Sequence, residues 1–240
     1  MVRGGRNVYG YAIGVLMLDT VFPRVPGDIG HAGTFPFPVL YHRVRQAFPS
    51  RVIREADPAL LDGFIEGARA LESAGVLAVT TGCGFLSMFQ RQLAEAVRIP
   101  VFTSALMMVP VVARMLGPDR AVGVLTVDSG SLGPRHLAEM GITEEVPVVV
   151  AGLEKGHAFT PVLLDNELEL DVDAARREHL EVARDLVERH PEVGAIVLEC
   201  TNMPPYAAAI RQATGLPVFD ITSLIRMVHA ALAPPDYPER

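Results

Sequence analysis

The chain has 240 residues, half of them apolar and a fifth charged, a composition typical of a folded globular protein with a substantial core. Its formal net charge of −7 supplies no basic surface for nucleic acid. The apolar run at residues 12–18 is too short for a membrane span and lacks a signal-peptide cleavage site. Two cysteines without Cys-x-x-Cys spacing, and no histidine cluster, argue against a metal site. We therefore expect a cytoplasmic protein.

Apolar runs and helical stripes alternate along most of the chain. Residues 12–18 predict a strand buried on both faces of a parallel sheet. Asp19 to Val44 is rich in proline and glycine and contains several aromatic residues, so we expect an ordered lid or rim there. Asp57 and Pro58 are typical of a helix start, and Gly75 of its end. The other predicted strands are 76–80, 101–102, 121–127, 147–151 and 195–198, and the other predicted helices are 86–97, 134–140, 174–190, 205–214 and 224–232.

One stretch of the sequence occurs twice. GVLAVTTGCGFLSMFQRQLAEAVRIPVF, residues 75–102, recurs as EVGAIVLECTNMPPYAAAIRQATGLPVF, residues 192–219, and Pro-Val-Phe follows the cysteine at the same distance in both. The first strand, AIGVLMLD, recurs as AVGVLTVD. Internal similarity of this kind dictates architecture, and strand–helix alternation predicts parallel sheets. We expect two α/β halves, 8–105 and 106–233, with the last helix packing back on the first half and disordered tails at 1–7 and 234–240.

Cys83 and Cys200 occupy equivalent places in the repeat, each at the end of an apolar run and just before a helix. Ligands bind at this end of parallel strands, and a helix start attracts anions and lowers the pKa of a thiol. Two halves facing each other would put one thiol on either side of a bound small anion, which suits proton removal and delivery at one carbon. Buried structural thiols, a disulfide, or a two-lobed anion-binding protein are the alternatives.

Residues near the strand ends form a candidate substrate-binding set. The set is Asp19, Arg43, Thr81, Gly84, Phe85, Ser104, Asp128, Ser129, Thr201 and Asn202. The short polar residues and the glycine are equally suited to turns and helix caps. Arg43 could clamp a carboxylate or lie on the surface, and Phe85 fits either a core position or an apolar wall of the site.

Paired strand-end cysteines, with Cys-Thr-Asn at Cys200, resemble the cofactor-independent aspartate/glutamate racemase superfamily. That superfamily also holds hydantoin racemases, maleate isomerases and arylmalonate decarboxylases. The resemblance covers nearly the whole chain. It implies two pseudo-symmetric, Rossmann-like α/β lobes with parallel sheets, an active site in the cleft between them, and a homodimer or higher homo-oligomer. It also implies that Cys83 and Cys200 are the acid/base residues and that no cofactor is needed.

A narrower resemblance rests on LDTVFPRVPGDIG, CGFLSMFQ, PVFTSAL and ECTNMPPYAAAIRQATGLPVFD. These strings are similar to the branch that contains the algal dimethylsulfoniopropionate lyases, in which proton abstraction alpha to a carboxylate is followed by loss of a beta substituent. Gly84 and Phe85 follow the first cysteine where amino-acid racemases have Asn-Thr. Asn202 and Met203 stand where the lyases have Glu-Leu. We expect a racemase or epimerase acting on a small carboxylate, with beta-elimination as the alternative.

Overall fold

The computed structural model describes residues 4–236, so the tail prediction for 1–3 and 237–240 lies outside the described residues. The strands are β1 Ile13–Met17, β2 Val39–Arg43, β3 Ala78–Thr81, β4 Val101–Phe102, β5 Ala121–Thr126, β6 Val148–Gly152, β7 Val193–Leu198 and β8 Val218–Phe219. The α-helices are α1 Pro49–Ile53, α2 Leu61–Ala74, α3 Gln90–Ala96, α4 Val109–Met115, α5 Pro134–Ala138, α6 Thr160–Leu164, α7 Val172–Arg189, α8 Ala207–Thr214 and α9 Ile221–Leu232. Short 3₁₀ helices cover Pro58–Leu60, Gly84–Phe89, Ala105–Met108 and Pro204–Tyr206.

Two parallel sheets with the same strand order form the centre of the molecule. Within residues 4–236, the first sheet has the order β2-β1-β3-β4 and the second β6-β5-β7-β8, with four strands each. The prediction of two α/β lobes is confirmed. In each sheet the connections leave the two middle strands in opposite directions, so a crevice opens at their carboxyl ends, where ligands bind in such folds. Both cysteines follow one of these middle strands.

Helix α2 shows how the sequence sets an element. The Asp57 carboxylate accepts a hydrogen bond from the Ala59 backbone N–H at 2.9 Å, which caps the helical segment. Gly75 closes it with φ +98°, a left-handed conformation that glycine adopts without steric cost. Phe64 and Leu71 lie on its buried face. The predicted start and end of this helix therefore agree with the structure.

The segment predicted as a lid or rim contains strand β2, which the sequence did not reveal. β2 pairs in parallel with β1, from Ile13 opposite Val39 to Met17 opposite Arg43. As an outer strand it is only partly buried, so it lacks the continuous apolar run of a central strand. Residues 19–38 remain as the irregular part. The short helices α1, α4 and α6 were also missed, because one or two turns give too little periodicity to detect.

The last helix contacts the first half of the chain. Arg226 Nη2 donates to the carbonyl oxygen of Thr34 at 3.1 Å, and the rings of His229 and Phe37 stack with centroids 3.6 Å apart. These contacts are those expected of a helix packing back on the first lobe, while the division between residues 105 and 106 stays a prediction. Within residues 4–236, none of the helices is long and apolar enough to span a membrane.

His179 is a fully buried titratable residue in the second lobe. Its ring lies between Phe159 and Tyr206, with centroid distances of 4.4 Å and 4.2 Å, and its Nδ1 is 2.7 Å from the carbonyl oxygen of Ala175. Burial lowers the pKa of His179 to about 4, since the charged imidazolium would lose its hydration. The folded protein therefore binds fewer protons here than the unfolded chain.

We predict that the burial of His179 lowers the stability of the folded protein at mildly acidic pH. The stabilising contribution of neutral, buried His179 is complete above the unfolded pKa of 6.5 and is lost as the pH falls towards 4. At about pH 5 the loss in unfolding free energy amounts to about 2 kcal/mol. In His179→Phe, the unfolding free energy measured by urea titration should therefore fall by about 2 kcal/mol less than in the wild type between about pH 7 and 5. The exposed His157→Phe should keep the wild-type dependence. An unchanged dependence in His179→Phe would contradict the assignment.

Candidate active site

Two equivalent loops carry the cysteines into one cavity. Cys83 follows β3 and directly precedes the 3₁₀ helix Gly84–Phe89, and Cys200 follows β7 shortly before the 3₁₀ helix Pro204–Tyr206. Each cysteine is 7% exposed, neither is in a disulfide, and both line the same cavity. The two halves thus contribute one thiol each.

The two loops also hold the halves together. The Thr201 hydroxyl donates to the carbonyl oxygen of Gly82 at 2.7 Å, and both residues are buried. Gly84 packs directly against Glu199, and a Cβ at residue 84 would overlap both the carboxyl oxygen Oε1 and the backbone carbonyl oxygen of Glu199. Glycine is required here because the two loops approach closely.

The cavity between the thiols is small and largely apolar. It holds about 20 Å³, room for about one water molecule. Apolar walls come from both halves, with Phe22, Phe85, Val127 and Leu163 among them. The polar side chains that reach it, besides the two thiols, belong to Thr20, Arg24, Glu199 and Asn202.

Arg24 is the cationic group of the cavity and is held on three sides. Its Nη1 donates to Asp28 at 2.8 Å, its Nη2 donates to the Thr20 hydroxyl at 2.9 Å, and the guanidinium carbon lies 4.5 Å from the centroid of the Phe22 ring. Paired and stacked in this way, the guanidinium has a fixed position from which to bind an oxyanion.

A chain of hydrogen bonds joins this cation to the second thiol. Asp28 is 3% exposed and uses its second carboxylate oxygen to accept a 2.6 Å hydrogen bond from the amide nitrogen of Asn202. The amide oxygen of Asn202 in turn accepts from the Cys200 thiol at 3.5 Å. Asp28, from the other half of the chain, therefore holds the Asn202 side chain, and Asn202 in turn orients the Cys200 thiol.

The expectation that the helix starts lower the thiol pKa values is wrong. Burial raises the pKa of Cys83, and the nearby Glu199 raises it further, while backbone N–H groups of Phe85 and Leu86 and the charge of Arg24 oppose the rise. Burial and Glu199 likewise raise the pKa of Cys200 well above its usual range. The loss of hydration outweighs the backbone donors, so both thiols are neutral at pH 7.

Glu199 is a buried carboxyl group beside both thiols. Its Oε2 accepts a 2.8 Å hydrogen bond from the Thr126 hydroxyl, and its Oε1 has no partner among residues 4–236. Burial raises the pKa of Glu199 to about 8, although the Thr126 hydrogen bond acts in the opposite direction. The side chain is therefore largely protonated at neutral pH.

The structure brings some of the predicted site residues to the cavity and leaves others away from it. Gly84, Phe85 and Asn202 line the cavity with the two cysteines. Thr81 and Thr201 support the loops instead: the Thr81 hydroxyl donates to the carbonyl oxygens of Cys83 and Thr103, and the Thr201 hydroxyl bridges the halves.

The other five candidates do not line the cavity. Asp19 accepts from the backbone N–H of Gln46 and lies 3.7 Å from Arg43, whose side chain is 62% exposed. Ser104 caps the 3₁₀ helix that follows it, and Asp128 accepts from the N–H groups of residues 130 and 131. Ser129 donates to Glu154 and lines a larger hollow of about 520 Å³ beside β6 and α7, away from both thiols. Turn and cap bonding accounts for most of this group.

Sequence reasoning identified Asn202 but missed the other polar residues around the thiols. Arg24 and Asp28 both lie in the irregular segment after β1, in the string RVPGDIG, where no periodicity marks them. Glu199 directly precedes Cys200, and a carboxyl group ending an apolar run was an available signal. Thr20 gave none.

The molecule therefore has a two-lobed α/β enzyme fold, in which residues of both lobes surround one cavity. The chain belongs to the Asp/Glu/hydantoin racemase family, whose profile matches residues 33–227. An allantoin racemase from Klebsiella pneumoniae has the same fold, with a TM-score of 0.65 at 18% identity over 94% of this chain and 95% of that one.

The relatives found by sequence similarity are named as lyases and not as racemases. A dimethylsulfoniopropionate lyase of Durusdinium sp. clade D is 30% identical over 89% of this chain and 72% of its own length. Dimethylsulfoniopropionate lyase 6 of Emiliania huxleyi is 32% identical over 92% of this chain and 60% of its own length. The chain therefore spans somewhat under two thirds to almost three quarters of the length of these lyases.

The contact between Gly84 and Glu199 gives a stability prediction. Gly84→Ala should destabilise the protein by about 1–3 kcal/mol, because the added methyl group meets a backbone carbonyl that cannot rotate away. Urea unfolding measures the change. Gly117→Ala is the matched control, since its Cβ would meet nothing closer than 4.0 Å. Equal stability of Gly84→Ala and Gly117→Ala would show that the two loops do not touch as described.

The raised thiol pKa values predict slow alkylation of the native protein. At about pH 8, iodoacetamide should modify Cys83 and Cys200 at least about 100-fold more slowly than in urea-unfolded chain, because the thiolate fraction and access are both reduced. Each of the variants Cys83→Ala and Cys200→Ala retains one thiol, so mass spectrometry of the two variants measures the alkylation rate of each cysteine separately. A native thiol that reacts as fast as the unfolded one would contradict the burial of that residue.

Proposed function

We propose that this protein is a cofactor-independent racemase or epimerase in which Cys83 and Cys200 exchange a proton with the carbon alpha to a carboxylate. The observation that carries the proposal is that both thiols, from equivalent strand ends, line one cavity beside the fixed Arg24 guanidinium. Membership of the racemase family supports the same reaction class.

The reaction requires a base, an acid and stabilisation of a carbanion. The substrate carboxylate binds near Arg24, and one cysteine, having first lost its thiol proton to solvent, acts as thiolate and removes the alpha proton. The electron pair of the broken C–H bond moves into the carboxylate to give an enediolate. The other cysteine delivers its proton to the opposite face of the same carbon, which inverts the centre and leaves the second cysteine as thiolate. A positioned acid or base contributes about 10²- to 10⁴-fold.

Thiolate formation is the costly step in so dry a cavity. Backbone N–H donors of Phe85 and Leu86, and the charge of Arg24, favour the thiolate of Cys83. The matching donor at Cys200 is the backbone N–H of Asn202. A thiolate that does form is poorly hydrated and therefore a strong base for a carbon acid.

The cavity also limits the substrate. Its volume of about 20 Å³ is too small for a carboxylic acid, so we propose that residues 19–38 shift outward to enlarge the cavity during binding, while Arg24 stays in contact with the substrate carboxylate. Both oxygens of Asp28 already accept hydrogen bonds, and Glu199 is largely protonated. Among the described cavity residues this leaves no carboxylate for an alpha-ammonium group, which favours a carboxylate substrate without one.

Beta-elimination is the second candidate, and the similarity to two dimethylsulfoniopropionate lyases over about nine tenths of the chain favours it. The first step is the same removal of the alpha proton. The electron pair then forms a carbon–carbon double bond as the bond to the beta sulfur breaks, so that dimethyl sulfide and acrylate leave. The neutral thioether needs no proton, so the abstracted proton passes from the cysteine to solvent before the next turnover. Phe22 and Phe85 give the cavity aromatic lining on the side of each half.

Deuterium labelling and the two cysteine variants separate these candidates. The wild type is incubated in D₂O with dimethylsulfoniopropionate and with a panel of chiral carboxylic acids, including 2-arylpropionates. A racemase returns substrate with deuterium at the alpha carbon, while a lyase releases acrylate. For racemisation, Cys83→Ala and Cys200→Ala should each lower kcat/KM by at least about 10³-fold, whereas elimination should need only the cysteine that acts as base.

Ser87→Ala is the matched control, because Ser87 lies in the 3₁₀ helix that follows Cys83 and does not line the cavity. Full turnover by both cysteine variants would refute the acid/base assignment. Tight binding of a panel acid with neither exchange nor elimination would favour the two-lobed binding protein instead.

A further inference from the structure

Glu199 is placed to contact a substrate, yet neither acid/base step uses it. It lies between the end of β7 and Cys200, is fully buried, and lines the cavity. Within the described part of the chain, its Oε1 is a buried oxygen without a hydrogen-bond partner. Buried polar atoms are almost always paired, so this one calls for a partner that the protein does not supply.

The partner on the other oxygen fixes where the proton of Glu199 lies. The Thr126 hydroxyl donates to Oε2 at 2.8 Å, so Oε2 is the accepting oxygen and Oε1 is free to carry the proton. Gly84 borders Oε1 from the other half of the chain. A Cβ at residue 84 would overlap Oε1, so only glycine lets the backbone pack this closely against the carboxyl group.

The surroundings favour a neutral carboxyl group. Glu199 acts on both Cys83 and Cys200, while the charge of Arg24 also acts on Cys83 and that of Asp28 on Cys200. Asp28 already neutralises Arg24 through a 2.8 Å ion pair. An ionised Glu199 would oppose both the formation of a thiolate and the entry of a substrate carboxylate. Burial, which raises the pKa of Glu199 to about 8, acts in the same sense.

We infer that Glu199 works as a neutral carboxylic acid whose Oε1–H donates a hydrogen bond to an oxygen of the substrate carboxylate. The inference rests on the proposed function. As the alpha proton leaves, charge builds up on the carboxylate oxygens, and a donor held in the cavity wall stabilises the enediolate more than the ground state. The proton stays on Glu199 throughout, so no bond to it breaks. Arg24 supplies charge and Glu199 supplies a second donor without adding a charge.

Stability measurements test the protonation state without a substrate. A group whose folded pKa lies above its unfolded value loses its stabilising contribution as the pH rises through the folded pKa. The urea midpoint of Glu199→Gln should therefore increase relative to that of the wild type as the pH rises from about 5 to about 8. Glu154→Gln, at a carboxylate outside the cavity, should show no such gain. A gap between Glu199→Gln and wild type that does not change with pH would show that Glu199 is ionised throughout, and would overturn the inference.

Kinetics test the hydrogen bond to substrate, with whichever panel acid shows exchange or elimination. Glu199→Gln keeps a donor and should stay within about tenfold of wild type, whereas Glu199→Leu should lose about 10²- to 10³-fold, mostly in kcat. Ionisation of Glu199 should lower wild-type kcat/KM above about pH 8 relative to Glu199→Gln. Equal activity of Glu199→Leu and wild type, or complete inactivity of a folded Glu199→Gln, would overturn the hydrogen-bond role.

The cysteine variants keep this inference separate from the proposed function. Full turnover by Cys83→Ala and Cys200→Ala would refute the function itself. Loss of turnover in those variants, together with wild-type behaviour in Glu199→Leu, would refute the role of Glu199 alone. Should Glu199→Leu fail to fold, the pH profile of Glu199→Gln against wild type still decides the question.

Discussion

The arrangement of this molecule depends on one buried contact between its two cysteine loops. The Thr201 hydroxyl binds the Gly82 carbonyl, and Gly84 lies against Glu199 with no space for a side chain. Each loop begins where a middle strand of a parallel sheet ends, so the contact joins the ligand-binding crevices of both sheets. Two crevices that would be separate in isolated lobes become one cavity with a thiol on each side.

The electrostatics of the cavity follow from its dryness. The same burial that keeps both thiols neutral also keeps Glu199 protonated. Arg24 is balanced by Asp28, so the resting site carries little net charge. A carboxylate that enters brings its own negative charge to a place with poor screening, where a few fixed donors act strongly. The chemistry then depends on donors in fixed positions, since solvent cannot rearrange to help.

The repeated stretch made much of the fold predictable. Because the two copies carry the same apolar run, the same following helix and the same Pro-Val-Phe strand, the two lobes and the equivalence of Cys83 and Cys200 follow from the sequence. Strand β2 did not follow, because an outer strand with partly exposed residues has no continuous apolar run. The strand-end aspartates, Asp19 and Asp128, looked like site residues, but the structure uses them to bind loop backbone N–H groups.

Two features of the site lay beyond sequence reasoning for physical reasons. The direction of the thiol pKa values depends on the balance between helix-start donors and burial, and burial is known only once the opposite lobe is in place. The partners of Cys200 come from Asp28 and Asn202, which are far apart in the chain and meet only across the lobes.

The absence of space at Gly84 has an evolutionary consequence. The two copies of a duplicated sequence ordinarily diverge independently, but here a mutation at the contact in one half of the chain directly affects the packing of the other half. The clash at residue 84 involves the backbone carbonyl of residue 199, which every residue type carries, so no substitution at residue 199 would make room for a side chain. Glycine should therefore persist at residue 84 in descendants of this chain, while the outer helices of each copy diverge freely.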